Sequence, residues 1–118
     1  MKLLENIDEL PELDLEPKDV VIIQFGSFDG LDEIHKLDEM LYNEIPEQIG
    51  RHDGHEVAMD DSHGTIFTYG ENAETLFKTM QPILNRFDFL NGASVYLEFK
   101  VGKKEPIEIE FDFAITAN

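Results

Sequence analysis

Hydrophobic and polar positions follow two different periods along this chain, and the changes of period divide it into elements. Near the C-terminus, Val95, Leu97, Phe99 and Val101 alternate with Ser94, Tyr96, Glu98 and Lys100. After a Gly102-Lys103-Lys104 turn, Ile107, Ile109, Phe111 and Phe113 alternate with Glu108, Glu110 and Asp112. Successive strand residues point to opposite faces, so each segment predicts a strand with one apolar and one polar side. Val20-Val21-Ile22-Ile23-Gln24-Phe25 is instead a continuous β-branched run, the pattern of a central strand, and Gly26 ends it. Leu31, Ile34, Leu37, Leu41 and Ile45 then recur at three and four residues, which predicts a helix closed by Pro46 and Gly50. Asp29 stands where an N-cap is expected, with Asp32 and Glu33 at the positive helix end.

Between these segments the pattern is shorter. Val57 and Met59 on one arm, and Ile66 and Phe67 on the other, predict a hairpin from His55 to Tyr69 around Asp60-Asp61-Ser62-His63-Gly64. Asn72 is placed to cap a second helix, on which Ala73, Leu76, Phe77, Met80, Ile83, Leu84 and Phe87 hold the 3.6-residue period. Pro82 falls off that stripe, so a kink with an intact apolar face is expected. The order β-α-β-β-α-β-β predicts an α+β, ferredoxin-like βαββαβ sandwich with an extra C-terminal strand. Two helices should lie on one face of an antiparallel sheet with strand order 5-4-1-3-2.

Residues 19–118 read as one α+β domain, and residues 1–18 as an acidic N-terminal arm in which Pro11 and Pro17 interrupt a short leucine stripe. Asp53-Gly54-His55-Glu56, Gly64-Thr65-Ile66-Phe67-Thr68-Tyr69-Gly70, Ala73-x-x-Leu76-Phe77 and Pro82-Ile83-Leu84 resemble the pattern of a family of small bacterial proteins of unassigned function. The resemblance covers the middle and end of the chain. It implies the compact ferredoxin-like fold and no reaction, because these motifs are structural punctuation.

Charge narrows the partners. The chain carries 26 acidic against nine basic residues, a net charge of −17. Such a field repels phosphate backbones and anionic membranes, so neither nucleic acid nor membrane is an expected partner. It attracts basic proteins and steers their approach. The absence of cysteine removes disulfides, thiol catalysis and cysteine-based zinc sites. Together with an opening that lacks the apolar stretch of a secretory signal, it points to a soluble, cytoplasmic protein.

Candidate chemistry is thin. His52, His55 and His63, interspersed with Asp53, Glu56, Asp60 and Asp61, form the one suggestive cluster, and a His-x-x-His pair closed by a turn at Asp53-Gly54 would suit a metal. His63 should lie at the far end of the hairpin, so three histidines should not converge, and surface histidines beside carboxylates are the favoured reading. Ser62-His63 are chain neighbours without a predicted third group, and no serine lies in a nucleophile elbow. Gly26-x-x-x-Gly30 meets Asp29, Asp32 and Glu33 where an anion would sit. No cofactor, metal site or catalytic residue is expected.

What remains is a surface. If Val21, Ile23 and Phe25 face the helices, Ile22 and Gln24 face the other side of the sheet, beside Tyr96, Glu98, Glu108, Glu110 and Asp112. An apolar and aromatic centre with an acidic margin is the layout of a binding patch. It is also the ordinary polar face of an antiparallel sheet in water. The reading for function is a non-catalytic acidic protein of immunity or inhibitor type that docks a basic partner; a homo-oligomer through the open sheet face is the other occupancy open to it. The alternative is a small-ligand or metal-responsive regulatory domain built on the His52–His63 segment.

Overall fold

The computed structural model describes residues 18–115, so the expected N-terminal arm lies outside the described residues apart from Lys18. The elements in order are β1 (Asp19–Phe25), α1 (Leu31–Glu44), β2 (Gly50–Val57), β3 (Gly64–Gly70), α2 (Ala73–Leu84), a 3₁₀ turn at Asp88–Leu90, β4 (Ser94–Phe99) and β5 (Ile107–Asp112). The five strands form one antiparallel sheet in the order β2-β3-β1-β4-β5. Each helix connects two strands that flank a third, which is how two split βαβ units interleave. The result is an α+β fold consistent with the expected ferredoxin-like sandwich. Among the described residues no helix is long and apolar enough to cross a membrane.

Register explains why the core has one side. Val21 and Ile23 on β1 stand opposite Thr68 and Ile66 on β3, and opposite Leu97 and Val95 on β4. All are buried, and the apolar ones meet Ile34, Leu37 and Leu41 of α1 and Leu76, Met80, Ile83 and Leu84 of α2 in one cluster. Gly70 opposes Gly50 across β3 and β2, and a Cβ at Gly70 would collide with the Ile49 carbonyl, so the strands close there only because the side chain is missing.

A buried carboxylate joins the ends of three elements. Asp19 Oδ1 accepts from Lys100 N at 2.7 Å and Val101 N at 2.9 Å, and Oδ2 accepts from Ala73 N at 2.9 Å. Ala73 opens α2, where free N–H groups and the helix dipole favour a negative group. At the same helix end, Asn72 accepts from Thr75 N at 2.9 Å, as the sequence predicts for a cap.

Several expectations require correction. Asp29 does not cap α1; Gly30 holds that position with φ 85° and no side-chain cap. Leu31 is exposed because it begins the helix ahead of the buried stripe. Strand β2 starts at Gly50, ahead of His55, and Met59 lies fully exposed in the turn that follows Val57. Helix α2, by contrast, runs through Pro82 with Ile83 and Leu84 buried, the intact apolar face that was expected. The largest departure is at β5. Phe113 is buried, but Ile107, Ile109 and Phe111 are 49%, 45% and 36% exposed. They lie on the helix side of the sheet, opposite Phe99, Leu97 and Val95, but α1 packs over β2 and α2 over β1, β3 and β4. Phe111 still meets Phe77 of α2, and the row beyond it, Ile109 and Ile107, runs past the helical layer.

Candidate protein-docking face

The side of the sheet away from the helices is built as three rows. One runs Arg51, Tyr69, Val20, Glu98, Glu108 across β2, β3, β1, β4 and β5. The next runs Gly54, Phe67, Ile22, Tyr96, Glu110, and the third Glu56, Thr65, Gln24, Ser94, Asp112. All seven residues anticipated from the sequence, Ile22, Gln24, Tyr96, Glu98, Glu108, Glu110 and Asp112, therefore share this face. With strands about 4.8 Å apart, a row spans about 19 Å. Its centre is apolar and aromatic, and its β4–β5 side is acidic.

The acidic side is organised by short contacts. Ser94 Oγ donates to Glu110 Oε2 at 2.9 Å. Tyr96 lies among Glu98, Glu108 and Glu110, and desolvation, followed by the Glu98 and Glu108 charges, pushes its hydroxyl above the ordinary phenol range. A phenol held protonated there keeps an O–H donor among three carboxylates. At the other end of the first row a cleft of about 650 Å³ opens between Lys18, Arg51, Tyr69 and Lys100, with Glu47 and Glu71 on its rim. Lys18 pairs with Glu71 at 2.8 Å and Lys100 with Glu98 at 3.6 Å. The face thus has an electrical direction: cations and carboxylates are mixed around the cleft, and carboxylates alone run along β5.

The sequence missed Val20, Phe67, Tyr69 and Arg51. The signal was present in Thr65-Ile66-Phe67-Thr68-Tyr69, where alternation puts Phe67 and Tyr69 on one side and Ile66 and Thr68 on the other. Thr68 is the buried one, and its hydroxyl donates to the Val21 carbonyl at 2.9 Å. A hydroxyl inside and two aromatic rings outside invert the usual pattern.

The histidine segment is arranged differently from its reading as surface residues. His52 is buried, with Nε2 2.6 Å from Asp38 Oδ1, while His55 Nδ1 lies 2.5 Å from Asp38 Oδ2. Residues three apart in a regular strand point to opposite faces. The register shift between His52 and Gly54, with Gly54 at φ 116°, is a bulge that turns both rings to the α1 side. Tyr42 stands edge-on to His52 at 4.9 Å, and His52 Nδ1 has no partner among the described residues. His63 sits beside Gly64 at the opposite end of the hairpin, where Ser62 Oγ and His63 Nδ1 are 2.9 Å apart in an exposed turn. The Ser62 side chain, and then Ser62 N donating to Asp60 Oδ1 at 3.1 Å, hold the Asp60 carboxyl below the usual carboxylate value. Among the described residues no group of three or more His, Cys, Asp or Glu side chains is placed to hold a metal ion.

No family model, curated protein or solved structure matches this chain, so the functional reading rests on the geometry of the sheet face.

Proposed function

We propose that this chain is a non-catalytic binding protein that docks a basic protein on the open face of its sheet, in the manner of an immunity or inhibitor protein. The observation that supports it is the register: Ile22, Phe67, Tyr69 and Tyr96 share the centre of one face with Glu98, Glu108, Glu110 and Asp112 along its margin. Apolar and aromatic residues at the centre supply affinity, and a charged rim supplies steering and partner choice. At a net charge of −17 the whole molecule draws a cationic partner, and the graded rows orient it on arrival.

The test separates this face from bulk charge. Two variants of equal charge change are compared as baits in extract from the source cell: Glu98→Lys/Glu108→Lys/Glu110→Lys on the open face, and Glu33→Lys/Glu39→Lys/Glu74→Lys on the helices. The wild type and the helix variant should retain the same stoichiometric basic protein, identified and then re-bound in purified form, and the face variant should lose it. Equal retention by both variants, or a concentration-dependent homodimer abolished by Tyr96→Lys, would contradict the proposal.

A further inference from the structure

The sheet has two edges, and they are finished differently. At β2 the bulge between His52 and Gly54 breaks the pairing register, and α1 packs over the strand. Bulges and covering elements are how proteins keep an edge from recruiting another strand. At β5 neither device is present. Its six residues pair with β4 in unbroken register, and among the described residues nothing pairs with its outer side. An edge of this kind presents a free row of N–H and C=O groups.

The side chains of β5 sort by face. Glu108, Glu110 and Asp112 point to the open side, and Ile107, Ile109 and Phe111 to the helix side. Acids alone would be an ordinary guard. Three large apolar side chains, each more than a third exposed, are the opposite of a guard, because they add apolar surface to a free edge. Phe77 of α2 stands edge-on to Phe111 at 5.3 Å and forms an apolar wall beside the row. Together the two rows specify a sequence. A strand laid against β5 would place every second residue beside Ile107, Ile109 and Phe111, and the residues between beside Glu108, Glu110 and Asp112. Apolar residues suit the first set and lysine or arginine the second. A second copy of β5 would bring carboxylates against carboxylates, which is destabilising for directly opposed pairs.

We infer that the β5 edge accepts an extended segment of alternating apolar and basic residues from a partner protein, as an added sixth strand. The inference rests on the reading of this chain as a receptor for a basic protein. Backbone pairing supplies the attachment, and the alternate side chains supply the choice of sequence.

The full chain, labelled for NMR, is titrated with a short blocked peptide of alternating lysine and valine. Two control peptides are used, one of alternating glutamate and valine, and the lysine–valine peptide N-methylated at every amide, which leaves neither edge able to donate. The lysine–valine peptide should shift and protect the β5 amides that point away from β4. The glutamate peptide and the N-methylated peptide should each bind at least about tenfold more weakly. Equal binding of the N-methylated peptide overturns strand addition, since its side chains are unchanged. Shifts at Ile22 and Tyr96 with β5 amides silent likewise overturn it, and leave the open-face reading standing. A chain that responds to none of the peptides also overturns it, and the face is then judged by its matched-charge variants.

Discussion

Asp19 takes three backbone N–H donors from two distant segments while almost wholly buried, so its removal strands three donors at once. Asp19→Ala should cost about 3 kcal/mol or more, read as a lowered urea midpoint, because hydrogen bonds to a charged group contribute about 1.5–3 kcal/mol each and do not add fully. Asp38→Ala should cost about 1–3 kcal/mol by leaving the buried His52 ring without its carboxylate. Tyr96 should titrate above the phenols of an unfolded chain in an absorbance titration, and Glu98→Gln should bring it down. A proton held more tightly in the folded state stabilises the fold at every pH below the unfolded phenol value. That contribution should fade as pH rises from about 10 through the higher folded value. In sequence, Asp19 and Asp38 are two acids among 26, and nothing local marks them. Asn72 was legible because a cap has a positional signature ahead of an apolar stripe. Asp29 misled for the same reason, as Gly30 with its positive φ took the capping position.

At the scale of elements, alternation specified which residues share a face and carried the strand order, but not how far the helices reach. Helix α2 has 12 residues, about 18 Å of length, which lie mainly over β1, β3 and β4 and meet β5 at Phe111 through Phe77. Strand β5 keeps an apolar row that the period of two places correctly and the packing leaves half in water. The contrast can be measured. Phe113→Ala should cost about 3–5 kcal/mol as a buried aromatic truncation, whereas Ile109→Thr should cost no more than about 1 kcal/mol. Equal losses would mean that the row is covered. The sequence pattern placed a turn at Asp53-Gly54, and the structure has a bulge inside β2 there instead, which brings His52 and His55 to one side without ending the strand.

For the whole molecule, the net charge and the direction of the open face belong together. A surplus of carboxylates spread evenly would raise solubility and select nothing. Here four of them line the β4–β5 side of an aromatic centre, and Arg51 stands at the β2 end of the first row. The face was half legible: β1, β4 and β5 declared their outward residues by alternation, while β3 concealed Phe67 and Tyr69 behind an inverted pattern. Association with the proposed basic partner should slow with added salt, and more steeply for wild type than for the Glu98/Glu108/Glu110 variant. The most direct measurement is a hydrogen-exchange footprint of the purified complex. Slowed exchange should centre on β1, β4 and β5, around Ile22, Tyr96 and Glu110, with α1 and α2 unchanged. Protection confined to the exposed sides of α1 and α2, with the sheet exchanging as in the free protein, would contradict the docking face.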